Sequence, residues 1–419
     1  MRILLIHQYF LEKNDGGGSR WNEMSSMWAA AGHEITVLAG MVHYASGKKN
    51  ERYKGKYFFS EQFEPGIDII RCHVSEAYNI NFIGRLWAYF SFVFSSIYAG
   101  LFKVRGQYDV ILVTSPPLFV GITAYVLSRF KRTPYLLEIR DLWPESAIDT
   151  GVLRNQHLIR LAYKVESFLY KKASKINVLT PAFRQKLLLD KHVAQDKIIY
   201  VPNAADFRLS DALLHTFDAA TFRKKHQIEG RFVVTYVGAH GVANHLDQVL
   251  DAAKVLKLTH PEVLFLLIGE GMEKARLKAL TEQSGLLGSM IRFIDAVPKA
   301  AVFQYIMASD LGASILKKND TFKTVYSNKT FDYMACKKPV LMLIDGASRE
   351  LVEQAECGTF VPPEDTAAFV AAVEQYLLLD KLRLLEQGER GYQYAKANFD
   401  RSELSKQYLK HVMALVDGK

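Results

Sequence analysis

Short apolar runs recur along the chain, each separated from the next by a segment long enough for a helix. They fall at Ile3 to Ile6, Ile35 to Leu38, Ile67 to Arg71, Val110 to Val113, Tyr135 to Ile139, Ile176 to Leu179 and Ile198 to Val201. A second series covers Phe232 to Val237, Leu264 to Ile268, Ile291 to Ile294, Leu311 to Ile315, Val340 to Leu343 and Thr359 to Val361. The runs do not alternate with polar residues, as expected of strands buried on both faces of a parallel sheet with helical crossovers. Pro202 stops the first series, and a polar stretch to about Gly230 reads as a linker. The expectation is an α/β chain with domains at 1–205 and 206–395 and an amphipathic helix within 396–419. With 419 residues, 49% of them hydrophobic, two cores are the default.

The formal net charge of +9 points to an anionic partner. The basic residues are scattered and form no long arm, so nucleic acid is not expected. Cys72, Cys336 and Cys357 give neither a disulfide framework nor a CxxC spacing, which fits a reducing cytosol without structural zinc. Met1 to Ile6 is too short an apolar run for a signal peptide and reads as a first strand.

Several strand ends carry chemistry. Gly16, Gly17 and Gly18 precede Arg20 and a helix over Trp21 to Ala31. Such glycines let a backbone approach a ligand at a strand's carboxyl edge, although a flexible loop is an equal reading. Ser327 and Asn328 suit a helix start, Lys329 puts a charge in its first turn, and Asp332 follows one turn on. A diphosphate at that tip and ribose hydroxyls on the carboxylate would describe a nucleotide; the plain alternative is an i,i+3 surface pair. Arg140, Asp141, Trp143 and Glu145 follow the Tyr135 to Ile139 run and read either as a substrate-facing cluster or as a proline loop capped by Asp141.

Leu86 to Phe102 contains no charge and seven aromatic residues, flanked by Arg85, Lys103 and Arg105. It is short for a span, and a span would split one sheet across the bilayer. Its aromatics surround the helix, more than one core-facing stripe can bury, so residues 82–105 read as a contact with a lipid interface, with a wholly internal helix as the alternative.

Taken together, the glycine loop, Val201 to Asp206, Val237-Gly-Ala-His-Gly241, Ile268-Gly-Glu-Gly271, Asp295 to Pro298 and Phe331 to Val340 resemble the retaining glycosyltransferases of family four. Within that family the opening, the aromatic helix and Asp141 to Ser146 look like bacterial surface-polysaccharide enzymes of the WbuB L-fucosamine transferase type. The resemblance implies a GT-B fold: two Rossmann-like parallel-sheet domains facing a central cleft, with the last helix crossing back to the first domain. It also implies that Gly16, Gly17, Gly18, Arg20, Gly238, Gly241, Asn244, Gly269, Val297, Asn328, Lys329 and Asp332 border the donor, Val297 beside the nucleobase. Ala239, Asn244 and Thr324 stand where many members have Arg, Lys and Glu, so charge on the diphosphate would rest on Lys329 and Arg20.

The implied reaction moves an N-acetylated amino or deoxy sugar from a UDP-type donor to a lipid-linked or glycan acceptor in O-antigen, capsule or exopolysaccharide synthesis. The anomeric configuration is retained, and the enzyme is peripheral on the inner face of the cytoplasmic membrane. No DxD sequence appears, so no metal and no cofactor is expected, and helix tips and basic side chains would stabilise the leaving diphosphate. Lys329, Asp141 and Glu145 are the catalytic candidates, while Arg140, Asp141, Trp143 and Glu145 form the acceptor side. A GDP-mannose-dependent transferase and a non-catalytic nucleotide-sugar-binding scaffold are the alternatives. A dinucleotide oxidoreductase is disfavoured because no GxGxxG follows either leading strand.

Overall fold

A computed structural model describes residues 1–13, 15, 20–42, 47–79 and 82–418. It separates into two compact units, one built from Met1–Glu12, Ser19–Pro202 and Ser402–Lys419, the other chiefly from Asn203–Arg401.

The first unit is a sheet of β1 (Arg2–Ile6), β2 (Glu34–Gly40), β3 (Phe58–Glu64), β4 (Ile67–Cys72), β5 (Val110–Ser115), β6 (Tyr135–Ile139), β7 (Lys175–Val178) and β8 (Ile198–Tyr200). Their spatial order is β3-β4-β2-β1-β5-β6-β7-β8. Every described pairing is parallel except β3 with β4. The sequence reading lacks β3 because this edge strand, FFSEQFE, is mostly polar and has no continuous apolar run. Ile3, Leu5, Val37 and Leu112 pack under Trp21 and Trp28 of the helix Arg20–Ala30. Tyr408 and Val412 of the last helix, Arg401–Asp417, complete that core. Trp28 Nε1 donates to the Ser405 carbonyl at 3.2 Å, and Tyr408 meets Trp21 edge-on at 5.6 Å.

The second unit is a wholly parallel sheet of β9 (Phe232–Val237), β10 (Val263–Ile268), β11 (Ile291–Ile294), β12 (Leu311–Ile315), β13 (Val340–Leu343) and β14 (Gly358–Phe360), ordered β11-β10-β9-β12-β13-β14. The stretch expected to be a linker instead forms two helices, Phe207–Leu214 and Ala219–Lys225, whose Asp206 and Asp218 side chains cap their first N–H groups. Polarity misled there: short helices capped by Asp look like loop in composition.

Among the parallel strands of each sheet the order reverses once, between β1 and β5 in the first unit and between β9 and β12 in the second. The carboxyl ends of strands at such a reversal leave a crevice in which open α/β sheets hold ligands.

Candidate functional site

At the reversal in the second unit, β9 runs out into Gly238 and β10 into Gly269. Gly269 has φ +143°, and a Cβ there would lie 2.0 Å from the Gly238 carbonyl oxygen, so only glycine lets these two turns touch. Lys274, 6% exposed, ties the neighbouring loops: its ammonium donates to the Gly269 carbonyl at 2.8 Å, Glu270 at 2.7 Å and Asp295 at 2.6 Å. The reading from sequence did not find Lys274, since a lysine in a polar helix carries no signal until its partners are placed.

The helix Asn328–Ala335 starts beside these turns. Its ring Tyr333 accepts from the Val237 N–H at 3.1 Å and donates to the Ala313 carbonyl at 3.0 Å, joining the helix to both strands of the reversal. A Cβ on Gly312 would come within 2.3 Å of that ring, so the glycine in β12 is what lets the helix lie this close. Ser327 is the N-cap, yet its side chain caps no N–H of the helix. It instead stands 3.4 Å from the Lys329 ammonium, and its own N–H donates to Ser348 Oγ at 3.1 Å. The first turn therefore keeps its partial positive charge available to a ligand.

Lys329 is partly buried, with its ammonium 4.9 Å from the centre of the Tyr236 ring and its Cε 3.1 Å from where a Gly238 Cβ would be. Burial lowers its pKa to about 8, and the charge of Asp332 opposes that shift. A cation held out of water in this way gains most from an anionic ligand. Asp332 is likewise partly buried, one turn along the same helix. Asn328 is exposed at the tip, and Val297 is partly buried and packs against the small core of Ile228, Val233, Leu264, Leu266, Ile268 and Ala308. Gly241 donates to the Asn244 side chain at 3.4 Å, so Asn244 closes its own turn. The structure thus brings Gly238, Gly269, Lys329 and Asp332 together around one reversal. Gly16, Gly17 and Gly18 lie outside the described residues.

Arg20 requires a correction. Expected to reach an anion, it is 4% exposed and paired with the buried carboxylate of Glu138 at 3.1 Å. It also donates to the Val201 carbonyl at 3.0 Å and the Pro202 carbonyl at 2.6 Å. Glu138 interrupts the apolar run of β6, and Asn177 of β7 donates to it at 3.0 Å. The guanidinium is satisfied inside the first unit and has no exposed face for a ligand.

In the loop after β6, expected from sequence to form the acceptor side, Asp141 is partly buried, and desolvation raises its pKa to about 6 against the lowering by hydrogen bonds from Ser146 and Leu142. Glu145 is placed differently from Asp141: Lys191 holds it at 2.5 Å and also binds Glu166 at 2.7 Å, so Glu145 is part of an internal ion cluster. Trp143 contacts Phe119 edge-on at 5.4 Å, and Arg140 follows β6 with its backbone N–H on the Ser115 carbonyl at 2.8 Å. His7, at the end of β1, is buried and its pKa lies well below the usual value, through desolvation and the charges of Arg140 and Arg71. Among the described residues no group of three or more His, Cys, Asp or Glu side chains could hold a metal ion.

Residues 15–204 match the glycosyl transferase 4-like domain, and residues 218–394 match the glycosyl transferases group 1 domain. Each match falls almost wholly within one unit, so the chain carries two glycosyl transferase domains in the two-sheet GT-B architecture. It is 23% identical to WcaI of Escherichia coli (strain K12), named as a colanic acid biosynthesis glycosyl transferase, over 98% of this chain and 100% of that protein. Sucrose-phosphate synthase from Thermosynechococcus elongatus has a similar fold, with TM-score 0.74 and 18% identity over 100% of both chains. Anabaena Alr3699/HepE in complex with UDP and glucose gives TM-score 0.71 and 17% identity over 99% of this chain and 100% of that one.

Proposed function

We propose that the chain is a retaining, metal-independent glycosyltransferase. It moves a sugar, of N-acetylated amino or deoxy type, from a UDP-type donor to a lipid-linked or glycan acceptor in bacterial surface-polysaccharide synthesis. The observation that carries this is Lys329: a desolvated ammonium at an uncapped helix tip, against the Gly238 turn and one helical turn from Asp332. The tip and the ammonium suit a diphosphate, and the carboxylate suits a pair of ribose hydroxyls. The UDP and glucose held by Alr3699/HepE and the polysaccharide role named for WcaI support the same choice of donor and process.

In the proposed step the bond from the anomeric carbon to the diphosphate oxygen breaks as an acceptor oxygen bonds to the same face of that carbon. The departing phosphate oxygen takes the acceptor proton, and Lys329 with the helix tip stabilises the charge left on the diphosphate. Asp141 orients the acceptor and Arg140 meets its negative charge. A thermal-shift panel of nucleoside diphosphates and nucleotide sugars tests the reading. UDP or a UDP-sugar at a hundred times its dissociation constant would stabilise by ~2.7 kcal/mol. No shift with any nucleotide would refute it.

The proposed setting is the inner face of the cytoplasmic membrane. Trp87, Phe94, Tyr98 and Phe102 of the helix Phe82–Phe102 are 51–69% exposed, with Lys103 at its end. Among the described residues no helix is long and apolar enough to cross a membrane. An exposed aromatic face with a basic flank suits a lipid interface. Flotation with anionic liposomes should be lost when Trp87, Phe94 and Phe102 are changed to Ser; undiminished flotation would exclude this helix as the contact.

A further inference from the structure

The helices Phe82–Phe102 and Val120–Lys131 lie side by side in the first unit. Ser96 Oγ stands 2.9 Å from Thr123 Oγ1, and a Cβ on Gly100 would come within 2.3 Å of the Leu127 side chain, so glycine is what lets the second helix pack there. Beyond the two helices the chain is tied together again. The Lys131 ammonium donates to the Val104 carbonyl at 3.1 Å, and Thr133 Oγ1 donates to the Tyr108 carbonyl at 3.1 Å. Both helix ends therefore lie where β5 and β6 begin, at the edge of the sheet opposite its carboxyl-end crevice.

A recess of about 520 Å³ opens there, lined by Ser128, Arg129, Arg132, Thr133 and Pro134. The Ser128 hydroxyl donates to the Thr133 carbonyl at 2.6 Å, and the Thr133 proton is spent on Tyr108. What the recess still offers is two exposed guanidinium groups that, among the described residues, have neither an ion pair nor a hydrogen bond. No carboxylate lines it. From Tyr98 to Pro134 the basic residues are Lys103, Arg105, Arg129, Lys131 and Arg132, and the single acidic one, Asp109, accepts from the Arg2 backbone N–H at 2.7 Å. Phe130, which follows Arg129, is 72% exposed, and Phe102, at the end of the neighbouring helix, is 69% exposed.

We propose that this recess seats the phosphate of an anionic lipid headgroup, with Arg129 and Arg132 on its oxygens and Phe130 and Phe102 at the acyl boundary. The proposal rests on the membrane setting given above and adds a second, charge-selective contact on a different helix. Unpaired guanidinium forks suit phosphate oxygens, which only accept. The exposed rings distinguish a lipid from a free phosphate: a soluble anion gains nothing from them, whereas rings beside cations match the boundary between headgroups and chains. The first unit would then be held by the edge of its sheet that carries no ligand crevice, so anchoring and use of the crevice do not compete.

The test measures partition of the full chain onto phosphatidylcholine vesicles with and without phosphatidylglycerol. Arg129→Gln with Arg132→Gln should lower partition onto the anionic vesicles roughly thirtyfold, without altering the unfolding midpoint or the UDP thermal shift. Phe130→Ser should lower it as well. Lys381→Gln with Arg383→Gln, an equal charge change at exposed positions of the second unit, should leave it nearly unchanged. An equal loss in that control would mean that net charge alone drives binding, and would overturn the seat. Inorganic phosphate that abolishes vesicle binding at constant ionic strength would make the recess a free-phosphate site and overturn the lipid. The two membrane contacts fail separately: binding that needs Trp87, Phe94 and Phe102 but ignores the arginine pair counts against the recess alone, whereas binding that needs the arginine pair and ignores those rings counts against the helix.

Discussion

Lys329 is costly to the empty protein, and that cost is what makes it informative. Its free-state pKa of about 8 means that it is mostly charged at neutral pH although burial disfavours the charge. A bound diphosphate would raise that pKa again. Donor affinity should therefore be constant below pH 8 and fall above it, by about tenfold per unit until the bound-state pKa is reached. Titration of UDP binding by calorimetry from pH 6.5 to 9.5 checks this, and a flat profile counts against Lys329. The stability sign follows from the same shift. The folded pKa lies below the unfolded value of 10.5, so the folded chain bears the full penalty below pH 8 and sheds it as pH rises towards 10.5. Lys329→Met should accordingly melt higher than the parent at pH 7, by roughly 1–3 kcal/mol of stability, while losing donor binding. Asp332→Ala should weaken donor binding by ~1.5–3 kcal/mol, ten- to hundredfold, with little change in melting. Parent-like affinity in that variant would remove Asp332 from the site. Both residues were legible from sequence as a charged helix start; the depressed pKa was not, because it arises from burial by parts of the chain distant in sequence.

At the scale of elements, several carboxyl ends of strands were readable because the apolar run stops at Gly, Pro or a charged residue, as Ile139 does at Arg140, Val201 at Pro202, Val237 at Gly238, Ile268 at Gly269 and Ile294 at Asp295. Arg20 shows the limit of that reasoning. An arginine after a glycine loop looks like an anion ligand until Glu138 is seen beneath it, and Glu138 is hidden inside an otherwise apolar strand. Glu138→Ala should leave a buried guanidinium unpaired and cost ~3–5 kcal/mol in urea denaturation. The double change Arg20→Met with Glu138→Leu should recover much of that loss, since a hydrophobic pair needs no counter-charge. A Glu138→Ala loss below about 1 kcal/mol would mean that the pair is solvated. Glu145 illustrates the same point from the other side: its neighbour in sequence is Asp141's loop, but its partner in space is Lys191.

At the scale of the whole molecule, the chain leaves its first unit after Pro202 and returns at Ser402, and the returning helix supplies Tyr408 and Val412 to the core under Trp21 and Trp28. Deleting 402–419 should expose those rings and lower the unfolding midpoint of the first unit, read by tryptophan emission, while leaving UDP protection of the second. Unchanged emission would show that the helix is dispensable. The sequence by itself determined the two βα series, the parallel sheets and the charged helix tip, because strand burial, helix starts and glycine turns are encoded within a few neighbouring residues. Tertiary structure alone decided that β3 adds an antiparallel edge, that residues 207–214 and 219–225 are helical, that Arg20 serves Glu138 and that Lys274 binds two loops together. Each of those outcomes depends on a partner far along the chain, or on packing that no local pattern records.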